Sequence, residues 1–229
     1  MTPTLYLIPV PLGGDPHAVL PGAVIERVRA LRDFAVEDPK SARAFLAALP
    51  MPCALRELRI DRIGEDPQAL IAPMREGRSL GLLSEAGCPG IADPGQAVAA
   101  AAHAAGFRVV PLVGPSSLIL ALMASGLEGQ RFAFRGYLPR EAPARLATLR
   151  ELERRSRAAR ETQLFIETPY RNDALLAALL EACAPGTRLC VAIDLTLPSE
   201  EIVSRPIAEW RAARRTIGRR PAVFLMLAA

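Results

Sequence analysis

Lysine is almost absent from this 229-residue chain: Lys40 stands alone beside 27 arginines among the 28 basic residues. A coding bias toward arginine explains the 27 at no cost on a surface. It leaves Lys40, which follows Glu37-Asp38-Pro39, either as a chance survivor or as a compact ammonium able to lose its proton where a guanidinium cannot. Histidine is nearly as scarce, with only His17 and His103, and Cys53, Cys88, Cys183 and Cys190 form no Cys-x-x-Cys pair. Neither a metal site of the zinc type nor a disulfide framework is expected. No apolar run reaches the roughly 18 residues of a membrane helix, and because Met1-Thr2-Pro3 runs directly into a short strand, no secretory leader is expected. No membrane partner and a cytoplasmic location are therefore expected. There is no internal repeat and no low-complexity linker. What is present is a 51% hydrophobic chain, long enough for one large or two small domains with a buried core.

Strand and helix patterns alternate. Strands are predicted at residues 5–10, 34–37, 80–83, 108–113, 132–136, 163–167, 189–194 and 223–227. Helices are predicted at 21–32, 41–49, 67–76, 94–105, 115–124, 142–160 and 172–183. This is an α/β reading, parallel in its first half.

Three strand ends share a composition. The apolar run at 80–83 gives way to Ser-Glu-Ala-Gly-Cys-Pro-Gly-Ile-Ala-Asp-Pro-Gly over 84–95, the strand at 5–8 runs into Pro9-Val10-Pro11-Leu12-Gly13-Gly14, and that at 109–113 into Gly114-Pro115-Ser116-Ser117. Loops of this kind press main-chain groups onto a ligand, and in open α/β sheets ligands gather outside the carboxyl ends of the strands. The plainer alternative is a set of helix entries, with Asp93 capping a helix whose first turn holds Pro94, and Ser116 or Ser117 capping the next.

The formal net charge is only +4, yet residues 140–160 carry seven arginines, 140, 145, 150, 154, 155, 157 and 160, against Glu141, Glu151 and Glu153. Leu146, Leu149 and Leu152 recur at helical spacing, so an amphipathic helix with an arginine face is expected. A second group, Arg211, Arg214, Arg215, Arg219 and Arg220, lies near the end of the chain. Guanidinium forks match phosphate geometry, which makes RNA a candidate partner; an ordinary solvated face is the alternative.

Taken in order, six stretches resemble the tetrapyrrole-methylase superfamily of S-adenosylmethionine-dependent methyltransferases. They are Leu5-Tyr6 through Pro11-Leu12-Gly13, Val36-Glu37-Asp38, residues 84–95, residues 113–127, Phe-Arg-Gly-Tyr-Leu-Pro at 134–139 and Phe-Ile-Glu-Thr-Pro-Tyr-Arg at 165–171. Within it they look most like the branch that 2′-O-methylates a cytidine ribose of small-subunit ribosomal RNA. The resemblance implies two α/β domains, 1–113 and 114–229, with the cofactor in the cleft between them, and a homodimer. Its cofactor contacts carry over to Leu12, Cys88, Ile91, Ser116, Ser117, Ile166, Ala192, Ile193 and Ala222. Some positions depart from the branch. Cys88 replaces a Thr or Asp, Glu85 an Asp, Tyr170 a His, and Pro39-Lys40 a Thr-Arg pair; the branch's extra C-terminal domain is expected to be missing beyond Ala229.

A ribose hydroxyl is a poor nucleophile, so methyl transfer to it needs in-line positioning and removal of a proton. The residues expected to serve catalysis are Lys40, Glu85, Glu167 and Arg171, the last two being equally able to form a structural ion pair. Glu37, Asp38, Asp93, Asp194, Glu200 and Glu201 are further carboxylates near the expected site. Methylation of a tetrapyrrole or other small molecule, and cofactor binding without turnover, are the competing functional readings.

Overall fold

Short apolar runs form most strands of the first half, the first of them closed by Pro9. In the computed structural model, which describes residues 2–229, the chain divides into two α/β units, Met1–Ser116 and Ser117–Ala229. In the first, β1 (Thr4–Ile8), β2 (Asp33–Val36), β3 (Arg59–Arg62), β4 (Leu80–Leu83) and β5 (Arg108–Pro111) form a wholly parallel sheet in the order β3-β2-β4-β1-β5. Its helices are α1 (Pro16–Val19), α2 (Gly22–Arg29), α3 (Pro39–Ala47), α4 (Pro67–Leu70), α5 (Ala72–Arg75) and α6 (Gln96–Ala104). β2 and β4 are buried throughout, as strands covered on both faces must be. Ile8, Phe34 and Leu83 pack with Val24, Val28 and Leu46 of α2 and α3. Leu5, Ala35 and Leu82 face the opposite layer, against Leu70, Met74 and Val98. Burying each of the larger side chains contributes roughly 1.5–3 kcal/mol.

In the second unit, α7 (Ser117–Ser125), β6 (Phe132–Tyr137), α8 (Ala142–Ala159), β7 (Thr162–Ile166), α9 (Asn172–Ala182), β8 (Arg188–Ile193), β9 (Glu201–Pro206), α10 (Ile207–Ala213) and β10 (Ala222–Leu227) follow in chain order. The sheet order is β6-β7-β10-β8-β9, with β6 and β7 parallel and the other pairs antiparallel. Leu149 and Leu152 of α8, Leu175 and Leu179 of α9 and Trp210 of α10 pack on Phe165, Val191 and Phe224 of the sheet. The buried Glu153 carboxylate is satisfied by the Ala184 N–H at 2.7 Å and the Thr187 hydroxyl.

The α/β class and the parallel first sheet match the sequence reading. Two differences have simple causes. The helix predicted at 94–105 begins only at Gln96, because Gly95 holds φ +135° ahead of it. That predicted at 67–76 is broken at Ile71, with Pro73 opening the second piece. α1, β3, β9 and α10 lie outside the elements the sequence predicts.

Candidate functional site

In the first unit the three glycine- and proline-containing loops meet at the carboxyl ends of β1, β4 and β5. Val10 and Gly87 exchange both backbone hydrogen bonds, each 2.8 Å. The Cys88 thiol donates to the Pro115 carbonyl, 3.4 Å away, tying the second loop to the third. Leu12 of the first loop lies 3.5 Å from where a Cβ on Gly87 would stand, and Gly114 abuts Pro9 so closely that a Cβ would come within 2.3 Å of the ring. Only glycine permits that approach.

Below these loops a cavity of about 340 Å³ is lined by Leu7, Leu82, Cys88, Gly90, Ile91 and Leu112, among others. Its walls are mostly apolar, with backbone from Gly90 and Gly95 at one side. A Cβ on Gly95 would meet Leu82 Cδ2 at 2.9 Å, so glycine lets the loop pack this closely on the Leu82 side chain that lines the cavity. Apolar walls with a few backbone polar groups and a volume in the roughly 300–1,000 Å³ range characterise small-molecule sites. Ile91 is half exposed beside it.

Carboxylates gather on the same loops. Glu37, just past β2, accepts the Glu85 N–H at 3.0 Å, and its own N–H donates to Leu83 O, also 3.0 Å. Asp93 is half-buried, and its carboxyl is pushed up to about 6. Burial is the main cause, the negative charge of Glu37 adds to it and that of Glu85 adds a little more; the Ser84 hydroxyl pulls the other way. The Cys88 thiol is also raised, first by burial and then by the charge of Asp93. Asp93 does not cap a helix, contrary to the capping reading, since α6 starts after Gly95. Its titration was not legible in the sequence, which spells a helix entry at Asp-Pro-Gly.

Lys40 is exposed in the first turn of α3. Its neighbour Asp38 caps that helix through the Ser41 N–H, 2.8 Å, and hydroxyl, 2.9 Å, and these bonds hold the Asp38 carboxyl below its ordinary range. Pro39 sits at the first helical position, where a missing N–H costs nothing. The Glu85 side chain is exposed. Ser116 and Ser117 are half-buried, Ser117 opening α7.

In the second unit Ile166, Val223 and Ala192 stand in register across β7, β10 and β8 on one face of the sheet. Ile193 and Ala222, also directly paired, point the other way and belong to the core beneath α8 and α9. Strand alternation thus separates the side chains of Ala192 and Ile193. Glu167, its side chain 1% exposed, accepts the Thr168 N–H at 2.7 Å and the Arg171 Nε at 3.0 Å. This bond raises the Arg171 guanidinium further, and Arg171 in turn lies over the Tyr170 ring. Because the Glu167 carboxylate is buried and its bonds run to Thr168 and Arg171, the pair organises the 167–171 turn whatever else it does.

The chain matches the family model for tetrapyrrole (corrin/porphyrin) methylases over residues 4–210 and belongs to that family. It is accordingly a methyltransferase. It is 33% identical over 209 residues to ribosomal RNA small subunit methyltransferase I of Vibrio cholerae, covering 90% of this chain and 70% of that protein. The protein of the same name from Mesorhizobium japonicum is 33% identical over 219 residues, 94% of this chain and 72% of the relative. Among solved structures, uroporphyrin-III-C-methyltransferase from Thermus thermophilus superposes with a TM-score of 0.57 at 22% identity, covering 98% of this chain and 94% of that one, and supports the fold.

Proposed function

We propose that this chain transfers a methyl group from S-adenosylmethionine to a ribose 2′-hydroxyl of small-subunit ribosomal RNA. The observation that carries the reading is identity of 33% across 90% of the chain with a ribosomal RNA small subunit methyltransferase. The apolar cavity with its glycine wall suits the adenosine and methionine portions of that cofactor. Leu12, Cys88, Ile91 and Ser116 would hold it in the first unit. Ser117, Ile166 and Ala192 are proposed as further contacts, while Ile193 and Ala222, whose side chains belong to the core, would offer backbone only. When bound, the cofactor supplies an electrophilic methyl on sulfur.

What remains for the protein is positioning and proton removal. Asp93 is the carboxylate best matched to accept the hydroxyl proton on its side-chain oxygen, since a base near pH 6 is ionised at neutral pH yet more basic than an ordinary carboxylate. Glu37 and Glu85 keep it basic by their charge. Lys40, exposed beside Glu37 and Asp38, and the Glu167–Arg171 pair would hold RNA or shape the turn near it.

The RNA backbone would be met by the exposed face of α8. Arg150, Arg154 and Arg157 lie on that face at spacings of four and three, and Arg150 has no ion pair or hydrogen-bond partner among the described residues. The C-terminal arginines are more committed: Arg215 and Arg220 pair with Glu201, and Arg211 donates to the carbonyls of Leu180 and Cys183 at the end of α9, each 2.8 Å. We further propose a homodimer, supported by Ile119 and Met123, one turn apart on α7 and 44% and 75% exposed. No helix among the described residues is long and apolar enough to cross a membrane.

Calorimetry tests the cofactor first. S-adenosylmethionine or its demethylated product should bind at about micromolar concentration, roughly −8 kcal/mol, and Ser116→Leu should weaken binding more than about tenfold while the fold persists. Absence of heat and of any thermal shift with both compounds would sink the reading.

A further inference from the structure

A second cavity in the first unit, of about 320 Å³, lies between α2 and the free edge of the sheet at β5. One face of the sheet supplies Tyr6 of β1 and, beside it, Arg108 and Val110 of β5; Tyr6 and Val110 are direct register partners. From the helix, Arg27 lies over the Tyr6 ring, 5.0 Å from its centre. The guanidinium is thus held in place by an aromatic face.

Arg27 and Arg108 are both exposed, and among the described residues neither has a carboxylate partner. No Asp or Glu lines the cavity. Two guanidiniums in one groove with no carboxylate partner make a local positive field. Beside them the wall is apolar: Val110 and Leu112 are partly buried, and Val113 is 72% exposed. Forked donors next to an apolar shelf match a phosphate joined to a flat, weakly polar ring. A purely apolar partner would leave both charges desolvated and unpaired.

We propose that this groove takes one nucleotide of the RNA substrate at a distance in sequence from α8, its phosphate held between Arg27 and Arg108 and its base on Val110, Leu112 and Val113. The assignment rests on the RNA reading above and extends it to a groove that shares only Pro111 and Leu112 with the cofactor cavity.

The test is binding of a short fluorescein-labelled single-stranded RNA by the full chain, followed by anisotropy over a range of salt. Arg27→Gln combined with Arg108→Gln should weaken binding about three- to tenfold at moderate salt and flatten the salt dependence by about one unit of slope, as expected for the one phosphate they share. Val113→Asp, a change at an exposed position, should weaken binding too. Thermal melts and the heat of S-adenosylmethionine binding should stay as in the wild type, because all three side chains lie outside the cofactor cavity. Unchanged RNA affinity and slope in the double variant overturns the proposal while leaving the methyltransferase reading intact. A fall in mass by light scattering with RNA affinity unchanged gives the groove to a second copy and equally overturns it. If the wild type binds no RNA, the RNA reading itself fails and this assignment with it.

Discussion

Asp93 costs the folded chain stability at neutral pH. Its carboxyl titrates near 6 in the fold, against 3.8 for the free group, so the native state prefers the protonated form. That contribution to stability is complete below about 3.8 and is lost as the pH rises through about 6. Asp93→Asn should therefore melt alongside the wild type near pH 4 and a few degrees above it at pH 7, while losing methyl transfer. Parallel melting curves would show that Asp93 is not titrating in this range. A destabilising carboxylate kept among the loop residues Glu37, Ser84 and Glu85 is the trade expected of a functional group. Other residues were easier to read. Asp38-Pro39 announces a helix start by composition, whereas the proximity of Glu37 to the β4 loop depends on β2 and β4 being neighbours, which no local pattern reveals.

The elements legible in the sequence are those whose burial leaves a pattern. β2 and β4 are apolar throughout because both faces are covered, and α8 shows its leucine stripe. β3 and β9 escaped because charged residues interrupt them, and Arg-Ile-Asp-Arg becomes a strand only through pairing with β2. Strand direction in the second sheet is likewise set by non-local pairing. On α8 the arginine face is now specific enough to test. Replacing Arg150, Arg154 and Arg157 together by Gln should weaken RNA binding across sequences and flatten its salt dependence by up to about three units, with cofactor affinity unchanged. Arg154 and Arg155 share Glu151, and Arg157 donates to Ala229 O at 2.8 Å, so a smaller change of slope would mean these partners retain their arginines in the complex. RNA affinity that does not move at all would return α8 to the ordinary solvated class.

At the scale of the whole molecule, the proposed dimer predicts twice the 24.6 kDa chain mass by light scattering at micromolar concentration. Met123→Glu would place a charge in the apolar pair on α7 and should yield monomer; a wild type that is already monomeric contradicts the dimer. The three converging loops were legible as a composition before they were seen as a place. Their meeting, through Val10 with Gly87 and Cys88 with Pro115, is a property of the strand order β4-β1-β5. The acceptor is the claim on which everything else turns. It is tested by incubating the protein with methyl-labelled S-adenosylmethionine and fractionated RNA, protein and small molecules from cells lacking this gene. The account predicts label in small-subunit ribosomal RNA, on a ribose 2′-hydroxyl and lost in Asp93→Asn; label confined to the small-molecule fraction, or to none, would contradict it.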